Sequence, residues 1–149
     1  MTRRTILAIT LITVGSVGLF AAGGRGRAEQ TVPETRPEFK PVMPVHDLMI
    51  EQERHFNRIL ELIRDEAVTD RFDKMRHEAL ALGEMANING YQDRAHKQPE
   101  YRSFAADLER QCIELAELAV AKKIDEAKKL AVRVNGTCNA CHKKFDSSP

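Results

Sequence analysis

The chain has 149 residues, and its 23 basic and 22 acidic side chains give a formal net charge of +1. This length suits one domain of ordinary size. Aromatic residues make up only 5% of the sequence, and no block of basic residues stands out, so a nucleic-acid-binding surface is not expected.

The first 28 residues have the pattern of an export signal. Arginines at positions 3 and 4 precede an uncharged, mainly apolar stretch from Thr5 to Gly24, which Arg25 and Arg27 follow. A positive start, an apolar middle and small residues near positions 22–28 are typical of a signal peptide that is cleaved on export. The apolar stretch is also nearly long enough to span a bilayer as an uncleaved anchor. In both cases the rest of the chain is expected outside the cytoplasm, as a periplasmic or otherwise exported domain.

Residues 29–44 predict an extended tether. They contain four prolines, at positions 33, 37, 41 and 44, among mixed charges and few apolar residues. Such proline-rich segments favour extended backbone and act as spacers. No further proline follows until Pro99. Residues 45–149 are therefore expected to fold as one largely helical domain.

Apolar residues recur with a helical period in four segments after the tether. These segments span residues 45–67, 70–88, 99–122 and 125–145. Asp70 suits the N-cap of the second helix, Asn89 and Gly90 close it, and Pro99 suits the first position of the third. No segment has the period-two alternation of a strand. The short connections suit antiparallel neighbours, so the expected fold class is all-α, an antiparallel up-down four-helix bundle.

Cys138, Cys141 and His142 form a Cys-x-x-Cys-His motif in the last predicted helix. This is the attachment signature of c-type haem, in which two thiols bind the porphyrin covalently and the histidine supplies an axial nitrogen to iron. Residues at i and i+3 share a helix face, so both sulfur atoms reach one edge of the porphyrin. The motif therefore predicts one covalent haem c near the C-terminus.

Three other roles of this cysteine pair stay open: a disulfide, a redox-active dithiol or part of a zinc site. A thioredoxin-type dithiol is expected beside a βαβ pattern, which the sequence lacks. A structural zinc site usually needs a fourth ligand, commonly from a second paired motif, and the sequence has no such pair. The third cysteine, Cys112, lies alone in a helical segment and is predicted to be a small buried core residue.

A four-helix domain with this motif in its last helix resembles the class II c-type cytochromes, the family of cytochrome c′ and its low-spin relatives. The resemblance covers about residues 45–145. It implies that Cys138 and Cys141 form the thioether bonds and that His142 is the proximal ligand. It also implies that Phe145 is the aromatic residue that commonly follows the histidine.

In this family the far side of the haem faces the first helix, where low-spin members present a Met ligand and high-spin members an apolar residue. Met49 lies on the apolar face of the first predicted helix and is the first candidate for the sixth ligand. His46, which lies off that face, and Met43, in the tether, are the alternatives. Met49 can also simply fill space in the core, as methionines commonly do. No role is expected for the three remaining histidines, His55, His77 and His96.

The resemblance implies an electron carrier rather than an enzyme, with a His/Met-ligated haem and redox proteins as partners. One alternative is a five-coordinate binder of NO or CO. Asp146 stands where cytochrome c′ often has Arg, and this weakens the match to its gas-discriminating proximal pocket. A non-haem helical module is the third alternative.

Two questions about partners stay open. The chain could form a homodimer through its first two helices. Lys143 and Lys144 are expected either to help dock an acidic partner or to form a solvated face.

Overall fold

The structure is a computed structural model, and it describes residues 39–145. These residues form five α-helices: α1 (Val45–Arg64), α2 (Arg71–Asn89), α3 (Asp93–Lys97), α4 (Pro99–Val120) and α5 (Ile124–Phe145). Between residues 39 and 145 no strand is present, so this part of the chain is all-helical. None of its helices is long and apolar enough to cross a membrane. The predicted signal segment, most of the tether and Asp146 lie outside the described residues.

The four long helices match the four that the apolar pattern predicts, whereas α3 is not predicted. This helix lies within the connection between the second and third predicted helices. Five residues are too few for a periodic pattern to emerge. Its charges nevertheless suit the helix dipole, because Asp93 lies in the first turn and Arg94, His96 and Lys97 in the last. Ala95 is buried, so the helix packs against the rest of the domain through this residue.

The largest difference from the predicted helix ends is at α1, which ends at Arg64 rather than Ala67. The carboxylate of Asp65 accepts a hydrogen bond of 2.9 Å from the backbone N–H of Ala67, and such a side-chain turn competes with continuation of the helix. Asp70 takes the predicted N-cap position of α2, but its backbone is left-handed (φ 56°) and its side chain makes no capping hydrogen bond.

α4 packs antiparallel to α5. The ring of Tyr101, near the start of α4, lies 5.4 Å from that of Phe145, at the end of α5. Further along, the Gln111 amide donates to the Thr137 hydroxyl at 3.0 Å, and this hydroxyl lies 3.2 Å from the amide oxygen. The contacts follow α4 from its start and α5 from its end, which is why the two helices are antiparallel. This arrangement places the motif of α5 beside the first turns of α4.

α2 and α4 approach each other closely at Gly83. A Cβ atom at this position would lie 3.1 Å from the Cβ atom of Cys112 on α4. Towards the other end of α4, the hydroxyl of Tyr101 donates a hydrogen bond of 3.1 Å to Oδ1 of Asn89 on α2. The later residue of α2 contacts the earlier residue of α4, so these two helices are antiparallel as well.

The core is formed by apolar side chains from the four long helices. Leu62 of α1, Leu82 of α2, Leu115 of α4 and Leu130 of α5 are each at most 1% exposed. Burying one such side chain stabilises a fold by about 1.5–3 kcal/mol. Cys112 is completely buried in the same cluster, which confirms its prediction as a core residue. This core fixes α1 and α5 on the two sides of the site described next.

Candidate functional site

The motif residues Cys138, Cys141 and His142 lie in the last two turns of α5. Their spacing of three and four residues places the side chains on one face of the helix. Both cysteines are half-buried and form no disulfide, and Cys138 packs against the hydrophobic core. His142 is exposed. The motif thus extends from the edge of the core to the surface.

Two adjoining clefts lie against this face of α5. The smaller, of about 30 Å³, is lined mainly by α1, α4 and α5, and the larger, of about 440 Å³, lies between α1 and α5. Ligand pockets commonly measure about 300–1,000 Å³, and only the larger of these two clefts falls in that range. Four residues line both clefts: Met49, Gln52, Cys138 and His142. Side chains of α1 and of the motif therefore share one site.

Met49 is the sixth-ligand candidate that the structure brings to the motif. It is half-buried and lines both clefts. His46 lines the larger cleft only, and its side chain is 84% exposed, 3.5 Å from the carboxylate of Asp47. Met43 lines neither cleft, and its carbonyl oxygen accepts a hydrogen bond of 2.9 Å from Gln92. Of the three candidates, Met49 alone lines both clefts together with His142.

Gln52 is a site residue that the sequence analysis missed. It lies three residues after Met49 on α1, is only 7% exposed, and lines both clefts. Its Nε2 atom is buried and has no hydrogen-bond partner. The available signal was a polar residue placed one turn from Met49 on an otherwise apolar helix face.

His55, to which no role was given, joins α1 to α2. It is 8% exposed, and its Nδ1 atom lies 2.6 Å from a carboxylate oxygen of Glu78. Its other ring nitrogen lies 3.3 Å from the guanidinium of Arg54, which can only donate. The ring therefore donates from Nδ1 to Glu78 and accepts at Nε2. His55 lines neither of the two clefts, so its role is to hold the fold together.

Aromatic side chains close the end of the smaller cleft. Phe145 packs edge-on against Tyr101 and Phe104 of α4, with ring centres 5.4 and 6.1 Å apart. Tyr101 and Phe104 both line the cleft, as does Asn89, which accepts the hydrogen bond from Tyr101. The aromatic residue that follows the motif thus anchors the last turn of α5 to α4.

Burial keeps two of the three thiols in the neutral form. It raises the pKa of Cys112 from 9.0 to about 12, with smaller contributions from the negative charges of Cys138 and Glu109. It also raises the pKa of Cys138, and a backbone hydrogen bond only partly opposes this. Since the thiolate is the reactive form of cysteine, Cys112 is chemically inert inside the folded domain.

The two lysines after the motif are both exposed. Lys144 forms an ion pair with Glu100 of α4, and its ammonium lies 6.0 Å from the centre of the Phe145 ring. Exposed ion pairs stabilise a fold by about 0–1 kcal/mol. Of the two expected roles of Lys144, these contacts favour a solvated helix face over a surface that docks an acidic partner.

Residues 39–145 hold no group of three or more His, Cys, Asp or Glu side chains that could bind a metal ion. A structural zinc ion usually takes four such ligands. The described residues therefore offer no closed zinc site around Cys138 and Cys141.

Comparisons with known proteins add no family to these observations. No protein-family model matches the chain, no curated protein matches it, and no solved structure matches it. The resemblance to class II c-type cytochromes thus stays a prediction, and it is carried by the motif at Cys138, Cys141 and His142 and by the helices around it.

Proposed function

We propose that this chain is an exported monohaem c-type cytochrome that carries electrons, with α1, α2, α4 and α5 forming an antiparallel up-down four-helix bundle around the haem. One observation carries the proposal: Met49 of α1 lines the same two clefts as Cys138 and His142 of α5. Export through residues 1–28 gives it a place outside the cytoplasm, and its partners are other redox proteins.

The donors and the lining of the site fit a covalent haem. Neither Cys138 nor Cys141 forms a disulfide, so neither sulfur atom is committed to another cysteine. Phe56, Leu60 and Phe104 are among the apolar side chains around them, and such side chains suit the flat hydrocarbon of a porphyrin. A haem iron also takes only two axial ligands from the protein. This site therefore has enough donors for haem and too few for a structural zinc ion.

Each residue has its own role in this proposal. Cys138 and Cys141 would hold the haem through two thioether bonds, and His142 and Met49 would ligate its iron through an imidazole nitrogen and a thioether sulfur. A haem held in this way would supply a one-electron iron couple. With His142 and Met49 in these roles, exogenous molecules would be kept from the metal.

Attachment is tested by exporting the full chain from cells that contain the haem-attachment machinery. The purified protein should be coloured, its mass should exceed that of the polypeptide by one haem, and the colour should survive denaturation and acid-acetone extraction. Cys138→Ala combined with Cys141→Ala should remove the haem. Cys112→Ala is the matched control and should keep it, because Cys112 is buried in the core and lines neither cleft. A colourless protein would falsify the proposal.

Axial ligation is tested separately with Met49→Ala. The oxidised wild-type protein should show the weak far-red absorption band of methionine–iron ligation, and the variant should lose it and gain high-spin features. His46→Ala is the control, since this exposed side chain lines the larger cleft only. If Met49→Ala leaves the spectrum unchanged while the wild-type protein binds CO, the five-coordinate alternative takes the place of the electron carrier.

A further inference from the structure

The proposed electron transfer makes no use of one polar side chain in the cleft. Gln52 follows Met49 by three residues on α1, so the two share a helix face, and both line the clefts that Cys138 and His142 line. Gln52 is 7% exposed, and its buried Nε2 atom has no hydrogen-bond partner. An unpaired buried amide is costly, so native folds rarely keep one without a use.

Other polar side chains of the smaller cleft already have partners. The hydroxyl of Tyr101 donates to Asn89 at 3.1 Å, and the hydroxyl of Thr137 is bonded to the amide of Gln111 at 3.0 and 3.2 Å. These bonds join α2 to α4 and α4 to α5. Gln52 takes part in neither of them, so the other polar groups of the cleft leave its Nε2 without a partner.

We propose that Gln52 is a specificity-determining residue for a small anion, which binds in this cleft when Met49 is not on the iron. The inference rests on the proposed function, because the iron supplies the position that the anion takes. Hydrogen bonds to a charged acceptor are about twice as strong as neutral ones. Three amides, those of Asn57, Asn135 and Asn139, also line the larger cleft, but these side chains are exposed to solvent, whereas Gln52 is buried. Glu53 lines it too, but this side chain is exposed and its charge is screened by solvent.

The test uses haem-bearing, oxidised protein in which Met49→Ala opens the iron, and azide is the probe. Azide is titrated against the visible spectrum of Met49→Ala alone and with Gln52→Leu added. We expect Gln52→Leu to weaken azide binding about 10-fold, as for the loss of one hydrogen bond to a charged group. Adding Gln98→Leu instead is the matched control, because Gln98 is exposed and lines neither cleft.

A second measurement uses the CO complex of the reduced Met49→Ala protein. A donor near the outer atom of CO weakens the C–O bond, so Gln52→Leu should raise the C–O stretching frequency and Gln98→Leu should not. Equal azide affinities with and without Gln52, an unchanged stretching frequency, or no azide binding to Met49→Ala would each overturn the inference. A protein without haem absorbance before azide is added overturns the proposed function itself, so the two failures are distinguishable.

Discussion

Replacing Gln52 by leucine measures what its buried amide costs the fold. Leucine is close to glutamine in size, removes the Nε2 atom that has no partner, and suits a site with apolar neighbours. An unsatisfied buried donor costs about 1–3 kcal/mol. We therefore expect Gln52→Leu to raise the free energy of unfolding by about 1–2 kcal/mol. In a domain of this size, each kcal/mol raises the melting temperature by about 4–8 °C.

The assay is urea unfolding followed by circular dichroism, on the chain without residues 1–28, first free of haem and then with haem attached. Gln111→Leu is the matched control. It breaks the bonds to Thr137 at 3.0 and 3.2 Å and should lower the free energy of unfolding by about 1 kcal/mol. If Gln52→Leu destabilises the protein as much as Gln111→Leu does, the Gln52 amide already has a hydrogen-bond partner in the folded protein. It would then not be available to a ligand.

Three further predictions concern the packing around the cleft. Burial raises the pKa of Cys112 from 9.0 to about 12, so between these pH values the folded chain keeps a proton that the unfolded chain loses. Stability should fall by up to about 1.4 kcal/mol per pH unit as the pH rises through this window, and Cys112→Ala should flatten the urea-derived curve; an equal slope would contradict the shift. Gly83→Ala places a Cβ atom 3.1 Å from that of Cys112 and should cost about 1 kcal/mol, measured by urea unfolding. Gly136→Ala, whose new Cβ would have no atom within 4 Å, should gain up to about 1 kcal/mol, and a loss at Gly136 would refute this comparison. Glu78→Leu leaves the buried ring of His55 without its partner at 2.6 Å and should cost about 1–3 kcal/mol in thermal unfolding; an unchanged melting temperature would mean that this bond does not hold α1 to α2.

The long helices could be predicted because the apolar period is a local property of the sequence. All four are present, with ends within three residues of the predicted ones. The differences arise where a single side chain changes the backbone, as Asp65 does at the end of α1. Positions 93–97 form a helix that is too short to show a period. Neither effect alters which helices face the motif.

The polar residues of the site were harder to predict, because a helical pattern marks a face and not the partner found there. Gln52 and His55 both lie among the buried residues of α1. His55 is satisfied by Glu78, which is 23 positions away in the sequence, whereas the Nε2 atom of Gln52 is left unpaired. Only the packing of α1 against α2 and α5 distinguishes a structural polar residue from one that is available to a ligand.

The two sides of the proposed haem site therefore depend on the fold to different degrees. On α5 one helix fixes the spacing of the motif, so attachment needs only local sequence. Met49 and Gln52 meet the motif only because core residues such as Leu62 and Leu130 hold α1 and α5 in place. Under the proposed function, loosening that core would move the α1 side chains away from the motif and leave the attachment at Cys138 and Cys141 intact. The proposed electron carrier would then become a protein whose attached haem binds ligands.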